Sequence, residues 1–282
     1  MKRLELDFGG ENNYFTREAF NTLRTNVLFC GTSVKVIIIT SCYAHEGKTT
    51  VAMDLARSLS QNGKHVLLVD ADLRMSLTAG RYTKERGIVG LSQLLSGQVS
   101  TEQAIYGTQE KMMDIIFAGP YPPNPTELVG SDSFADFIAD VKERYDYVLV
   151  DAPPLGLVID AAVMAKYCDG SVLVINKGKV KYRVAQSVKE QLEKSGCKCL
   201  GVILNHVSKT TDERYLRRKQ EKYHFNRVHT AKKAASHTSA TPAAPATKRI
   251  PATPVQPPVT KDTPVVTRQA PPVQEVSDEE QA

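Results

Sequence analysis

The sequence predicts an α/β fold, a mostly parallel sheet with helices on both faces. Apolar, β-branched runs of strand length recur along the chain with few polar residues inside them, the pattern of strands buried on both sides. Helix-length stretches separate these runs, as parallel connections require. Three of the runs stop at residues with chemistry: one at a Gly-Lys-Thr loop and two at an aspartate.

Taken in order, Tyr14 to Cys30 reads as a helix, with Phe20, Leu23, Val27 and Leu28 near one face and Glu18 and Arg24 on another. It precedes the first strand, so it packs outside the sheet or against a neighbouring subunit. That strand, Val36-Ile37-Ile38-Ile39-Thr40, leads into Ser41-Cys42-Tyr43-Ala44-His45-Glu46-Gly47-Lys48-Thr49-Thr50, and a helix runs on through Leu59. A strand that breaks into a loop and restarts as a helix at Lys48-Thr49 gathers backbone N–H groups and a helix N-terminus at one spot, where a polyphosphate binds well. Lys48 adds a point charge for the β- and γ-phosphates and the Thr49 hydroxyl a ligand for Mg²⁺, within a nucleotide-binding stretch from Glu46 and Gly47 to Thr50. Gly-Lys-Thr also occurs at ordinary turns, and Cys42 stands where the usual pattern begins with Gly. The strand before, the helix after and the acidic strand ends below favour a P-loop NTPase.

Asn62-Gly63 turns the chain into a second buried strand, His65 to Asp70. It ends in Asp70-Ala71-Asp72-Leu73-Arg74, and carboxylates two apart on an extended chain face the same side. At a strand's C-terminal end that side is the crevice where open α/β sheets bind ligands, although Asp there is also a common turn former. Gly87 to Gly97 reads as a short helix and Ile115 to Gly119 as a short strand, followed by a proline-stiffened loop that turns into a helix with Thr126 near its cap. After a helix from Phe134 to Arg144, the strand Tyr147-Val148-Leu149-Val150 closes on Asp151, the pattern of a second Mg²⁺-site carboxylate beside a P-loop. Pro153 and Pro154 end it abruptly. Ser171 to Asn176 as a strand, Val180 to Ser195 as a helix and Cys199 to Asn205 as a strand complete the alternation.

Composition narrows the class. The longest apolar runs fall well short of the roughly 20 residues that span a bilayer, and the N-terminus lacks a signal-peptide core, so a cytosolic protein is expected. Five cysteines, Cys30, Cys42, Cys168, Cys197 and Cys199, show no metal spacing and read as reduced thiols, the last pair on one face of a strand. Cys42, in the phosphate-binding loop, is either an acidified, oxidisable thiol or simply a small residue tolerated there.

The net charge of +5 is mild, but Arg214, Arg217, Arg218, Lys219, Lys222, Arg227, Lys232 and Lys233 crowd one segment. They read as a solvated helix face or as an attraction to anionic lipid or an acidic partner. No aromatic interleaving suggests nucleic acid. From about Val228 the chain turns rich in Ala, Thr, Pro and Val and ends acidic at Glu275, Asp278, Glu279 and Glu280, a composition read as disordered, whether tether or docking segment.

Together, Glu46-Gly47-Lys48-Thr49, Asp70-Ala71-Asp72-Leu73-Arg74, Pro123-Asn124-Pro125-Thr126-Glu127-Leu128 and Asp151-Ala152-Pro153-Pro154-Leu155-Gly156 resemble, in order and spacing, the bacterial tyrosine kinases that control capsule and exopolysaccharide synthesis. The resemblance runs from about Tyr14 to Val207. It implies a cytosolic enzyme that transfers the γ-phosphoryl of ATP to protein tyrosines, including those of neighbouring copies in a homo-oligomer. It also implies a transmembrane polysaccharide co-polymerase adaptor that activates the kinase at the inner face of the cell membrane, and a cognate phosphotyrosine phosphatase.

Carried onto this chain, Lys48 holds the phosphates, Thr49 and Asp72 the Mg²⁺ shell, and Asp151 the metal through water. Asp70 orients the attacking phenol and Asn205 contacts the adenine. Glu18 and Arg24 belong to a self-association motif in which Asn21 replaces the middle Arg. Ala44-His45 replaces a Pro-Gly, and Ser76 stands where a Pro commonly follows. The family's C-terminal tyrosine cluster is reduced here to Tyr215 and Tyr223, the candidate phospho-acceptors. The implied organisation is a self-association segment over residues 1–30, a P-loop kinase domain over 31–227 and the tail over 228–282.

Two other readings stay open at this level. A switch ATPase of the MinD and ParA type shares the P-loop, but carries a signature Lys where Tyr43 stands. A nucleotide-binding adaptor that has lost phosphoryl transfer is compatible with the sparse tyrosines.

Overall fold

The computed structural model describes residues 2–9 and 14–207. Its strands are β1 Val36–Ser41, β2 Val66–Asp70, β3 Ile105–Gly107, β4 Met113–Ile116, β5 Tyr147–Asp151, β6 Gly170–Asn176 and β7 Cys199–Asn205. They form one sheet of order β3-β4-β2-β5-β1-β6-β7, parallel throughout except for the antiparallel β3–β4 pair. The helices are α1 Tyr14–Leu28, α2 Lys48–Gln61, α3 Thr78–Tyr82, α4 Leu91–Leu95, α5 Thr101–Ala104, α6 Pro125–Val129, α7 Asp132–Arg144, α8 Asp160–Ala165 and α9 Tyr182–Lys194.

Alternation along each strand divides the core into two layers. Val36, Ile38, Leu67, Val69, Val148 and Val150 face one side, where Phe134, Phe137 and Val141 of α7, Met164 of α8 and Leu192 of α9 meet them. Ile37, Ile39, Leu68 and Leu149 face the other, against Val51, Leu55 and Leu59 of α2. Ile37, Ile38 and Ile39 are wholly buried, each contributing about 1.5–3 kcal/mol by leaving water. The apolar runs thus form because both faces of the central strands are covered. The edges are managed separately: beyond β3, the Leu4 N–H donates to the Gly107 carbonyl at 2.8 Å and the Gly107 N–H to that of Lys2 at 3.0 Å. At the opposite edge, Val202 and Leu204 of β7 are half exposed.

The structure departs from the sequence reading in places. The strand expected over Ile115 to Gly119 is shifted toward the N-terminus, because the Phe117 and Ala118 carbonyls leave the sheet to accept the Leu91 and Ser92 N–H groups at 2.7 and 2.9 Å. Gly90 and Gly119 meet there so closely that a Cβ on Gly90 would lie 2.4 Å from the Gly119 nitrogen. The helix expected to start at Val180 starts at Tyr182, and α3, α5, α8 and β3 were not anticipated. Cys197 and Cys199 do not share a strand face: Cys197 is buried before β7 begins. Among the described residues no helix is long and apolar enough to cross a membrane.

Candidate active site

The C-terminal ends of β1, β2 and β5 converge where the P-loop, Asp70 and Asp151 sit, with Asp70 and Asp151 in register on neighbouring strands. Between β1 and α2 the chain curls through two left-handed residues, His45 at φ 61° and Gly47 at φ 88°. Gly47 is obligatory for a second reason, since a Cβ there would come within 2.1 Å of Asn205 Nδ2. Asn205 donates to the Glu46 carbonyl at 2.9 Å, so the end of β7 pins the loop.

Within the nucleotide-binding stretch, the Glu46 side chain is turned inward. Its Oε2 accepts the Tyr43 N–H at 2.8 Å and its Oε1 the Asn176 N–H at 3.0 Å, so the carboxylate shapes the loop and ties it to β6. Cys42 is buried in the core layer of α7, and burial pushes its thiol up to about 11. Of its two readings, the tolerated small residue is the one that holds. Gly156 packs on its backbone, where a Cβ would lie 2.1 Å from the Cys42 carbonyl oxygen.

Lys48 opens α2, with Thr49 and Thr50 half buried behind it in the first turn. The Lys48 ammonium meets Asp72 Oδ2 at 3.2 Å. Burial works to lower the Lys48 pKa, but the Asp151, Asp72 and Asp70 carboxylates outweigh it and hold the group above its ordinary value. Both oxygens of Asp151, 1% exposed, lack a hydrogen-bond partner. Burial pushes its carboxyl up to about 7, Lys48 pulling down and Asp70 pushing further up. Asp70, equally buried, is raised to about 6 by burial, against the bond it receives from the Ser76 hydroxyl. Three buried carboxylates against one ammonium, with one carboxylate unpartnered, fit a hard divalent cation with oxygen ligands.

The sequence reading missed the brace beside this cluster. Arg74 Nε donates to Asp160 Oδ2 at 2.6 Å and Arg74 Nη2 to Thr126 Oγ1 at 2.7 Å, while the Thr126 hydroxyl donates to Asp160 Oδ1 at 2.6 Å. Thr126 is therefore a side-chain bridge in the first turn of α6, whose cap position is held by Asn124. The available signal was Asp160 itself, a lone carboxylate inside the apolar stretch Leu157 to Ala165. Arg24, expected at a subunit contact, donates within its own chain to the Ser58 carbonyl at 3.1 Å and hydroxyl at 3.2 Å, and Glu18 accepts from Asn21 at 3.1 Å. Tyr215 and Tyr223 lie outside the described residues.

A family model described as an AAA domain matches residues 34–180, the span from the first strand past β6. The tyrosine-protein kinase CpsD of Streptococcus agalactiae is 42% identical over 195 residues, 69% of this chain and 84% of its own length. The chain belongs to the bacterial tyrosine kinase family. The kinase domain of the Escherichia coli tyrosine kinase ETK matches with a TM-score of 0.65 at 33% identity, over 69% of this chain and 77% of that one. The septum site-determining protein MinD of Pyrococcus horikoshii, complexed with Mg-ADP, matches less closely, with a TM-score of 0.54 at 29% identity over 63% of this chain and 74% of that one. The bacterial tyrosine kinase resemblance read from four motifs thus holds, as does the P-loop NTPase fold.

Proposed function

We propose that this chain is an ATP-dependent protein-tyrosine kinase that phosphorylates its own copies and regulates capsular or exopolysaccharide synthesis. The observation that carries the reading is the cluster of Lys48, Asp70, Asp72 and Asp151 at the P-loop of a tyrosine kinase family member. ATP would supply the phosphoryl group, and Mg²⁺, when bound, would neutralise charge on its phosphates. Lys48 and the α2 N-terminus would hold the phosphates, Thr49 and Asp72 would hold the metal, and Asp151 would hold it through water. Asn205, which pins the loop, would also contact the adenine. Asp70 orients the acceptor phenol and takes its proton late, because a carboxylate is a weak base for a phenol of pKa about 10. Positioning and charge neutralisation suffice for a loose phosphoryl-transfer transition state.

Recruitment to the inner membrane face by a transmembrane adaptor, ring-like self-association through α1 and reversal by a phosphatase belong to the same proposal. The motif resemblance supports them. The division into a segment over 1–30, a kinase domain over 31–227 and a tail over 228–282 is part of the same proposal. The MinD likeness favours one rival, a switch ATPase. The two readings differ in where the γ-phosphate goes. With γ-labelled ATP and Mg²⁺, the kinase leaves label on protein tyrosine; label released only as inorganic phosphate would install the switch ATPase in its place.

A further inference from the structure

Asp70, assigned above to the acceptor phenol, is 1% exposed, and a half-buried residue, Ser76, stands over it. The Ser76 hydroxyl donates to Asp70 Oδ2 and accepts the Thr78 N–H at 3.2 Å. Asp70 Oδ1 receives the Asp72 N–H at a long 3.4 Å. A phenol approaching Asp70 therefore meets a carboxylate already engaged by another hydroxyl.

Between Arg74, fixed by the brace, and the buried Thr78, the stretch that carries Ser76 is lightly held. Its backbone is tied by the Ser76 N–H to the Asp72 carbonyl at 3.1 Å and by the Met75 N–H to Asp72 Oδ1 at 3.1 Å. Its flanking side chains add little, since Met75 is 79% and Leu77 74% exposed. A segment with a few hydrogen bonds and almost no apolar burial opens at low cost. Serine and tyrosine offer a carboxylate the same O–H donor.

We propose that Ser76 occupies, in the resting protein, the place at Asp70 that the acceptor tyrosine's hydroxyl takes during transfer. Ser76 is then the residue that sets how readily an acceptor is seated. The inference rests on the kinase reading and adds an acceptor-affinity determinant to it.

The test uses the full chain with Mg-ATP and a synthetic peptide of residues 210–226 as acceptor. Wild type, Ser76→Ala and Ser76→Thr are compared, with KM for peptide and for ATP measured separately. Binding of a fluorescent ADP analogue checks that each variant keeps its nucleotide site. Ser76→Ala raises peptide kcat/KM about tenfold, roughly what one hydrogen bond to a charged group is worth, and shifts ATP KM by less than about twofold. Ser76→Thr, which keeps the hydroxyl, stays near wild type. Peptide kcat/KM that is unchanged or lower in a nucleotide-binding Ser76→Ala overturns the inference and leaves the kinase standing. A wild type that binds ATP yet phosphorylates neither itself nor the peptide overturns both.

Discussion

Asp151 is the most exacting residue in the fold. Its carboxylate is buried without a partner beside Asp70 and Asp72, an arrangement that costs stability unless a proton or a cation is present. The sign follows from linkage. Asp151 at about 7 and Asp70 at about 6 both lie above the ordinary 3.8, so the metal-free folded chain holds protons that the unfolded chain has released. The stability these groups give is complete below about pH 4 and is lost as pH rises through 6 and 7. Metal-free protein should therefore lose thermal stability between pH 5 and pH 8, and Asp151→Asn should flatten the upper part of that slope. At pH 8 the variant should be about 1–3 kcal/mol more stable than wild type without metal, while losing the Mg²⁺-dependent part of its nucleotide affinity. Melting curves across pH with EDTA or Mg-ADP check this; a variant less stable than wild type at pH 8 in EDTA would contradict it.

Among the elements, α6 and α8 owe their places beside the site to the Arg74–Asp160–Thr126 brace. Asp160 is 2% exposed, so Arg74→Ala strands a buried carboxylate and should cost about 3 kcal/mol in urea unfolding. Arg74→Lys, which keeps the charge without the planar fork, should recover only part of it. A loss below about 1 kcal/mol would mean the brace is an exposed pair of little weight.

What could be read in advance follows the range of the interactions. The strands β1, β2 and β5 were legible because each is a short apolar run ending at Ser41, Asp70 or Asp151, and the P-loop because strand, loop and helix are contiguous. The brace was not, since Arg74 and Asp160 are 86 residues apart and Thr126 lies 34 from Asp160. Nor was β3, three residues long, which exists because β4 and the Lys2–Leu4 backbone pair with it. Nor was the inward turn of the Glu46 side chain legible, because its partner Asn176 is 130 residues downstream.

For the whole molecule, the sheet is complete by Asn205, and the candidate phospho-acceptors read from the sequence come after it. Tyr215 and Tyr223, the basic run from Arg214 and the tail from 228 lie outside the described residues, so chemistry must place them. The account stands on transfer from a site at the sheet's C-terminal edge to tyrosines on neighbouring copies. Its most direct test is phosphosite mapping by mass spectrometry after incubation with Mg-ATP, with and without the adaptor's cytoplasmic segment, using Lys48→Met as the blank. The account predicts phosphate on Tyr215 or Tyr223 that vanishes in the blank. Bound nucleotide with no phosphotyrosine, even with the adaptor segment present, would contradict it.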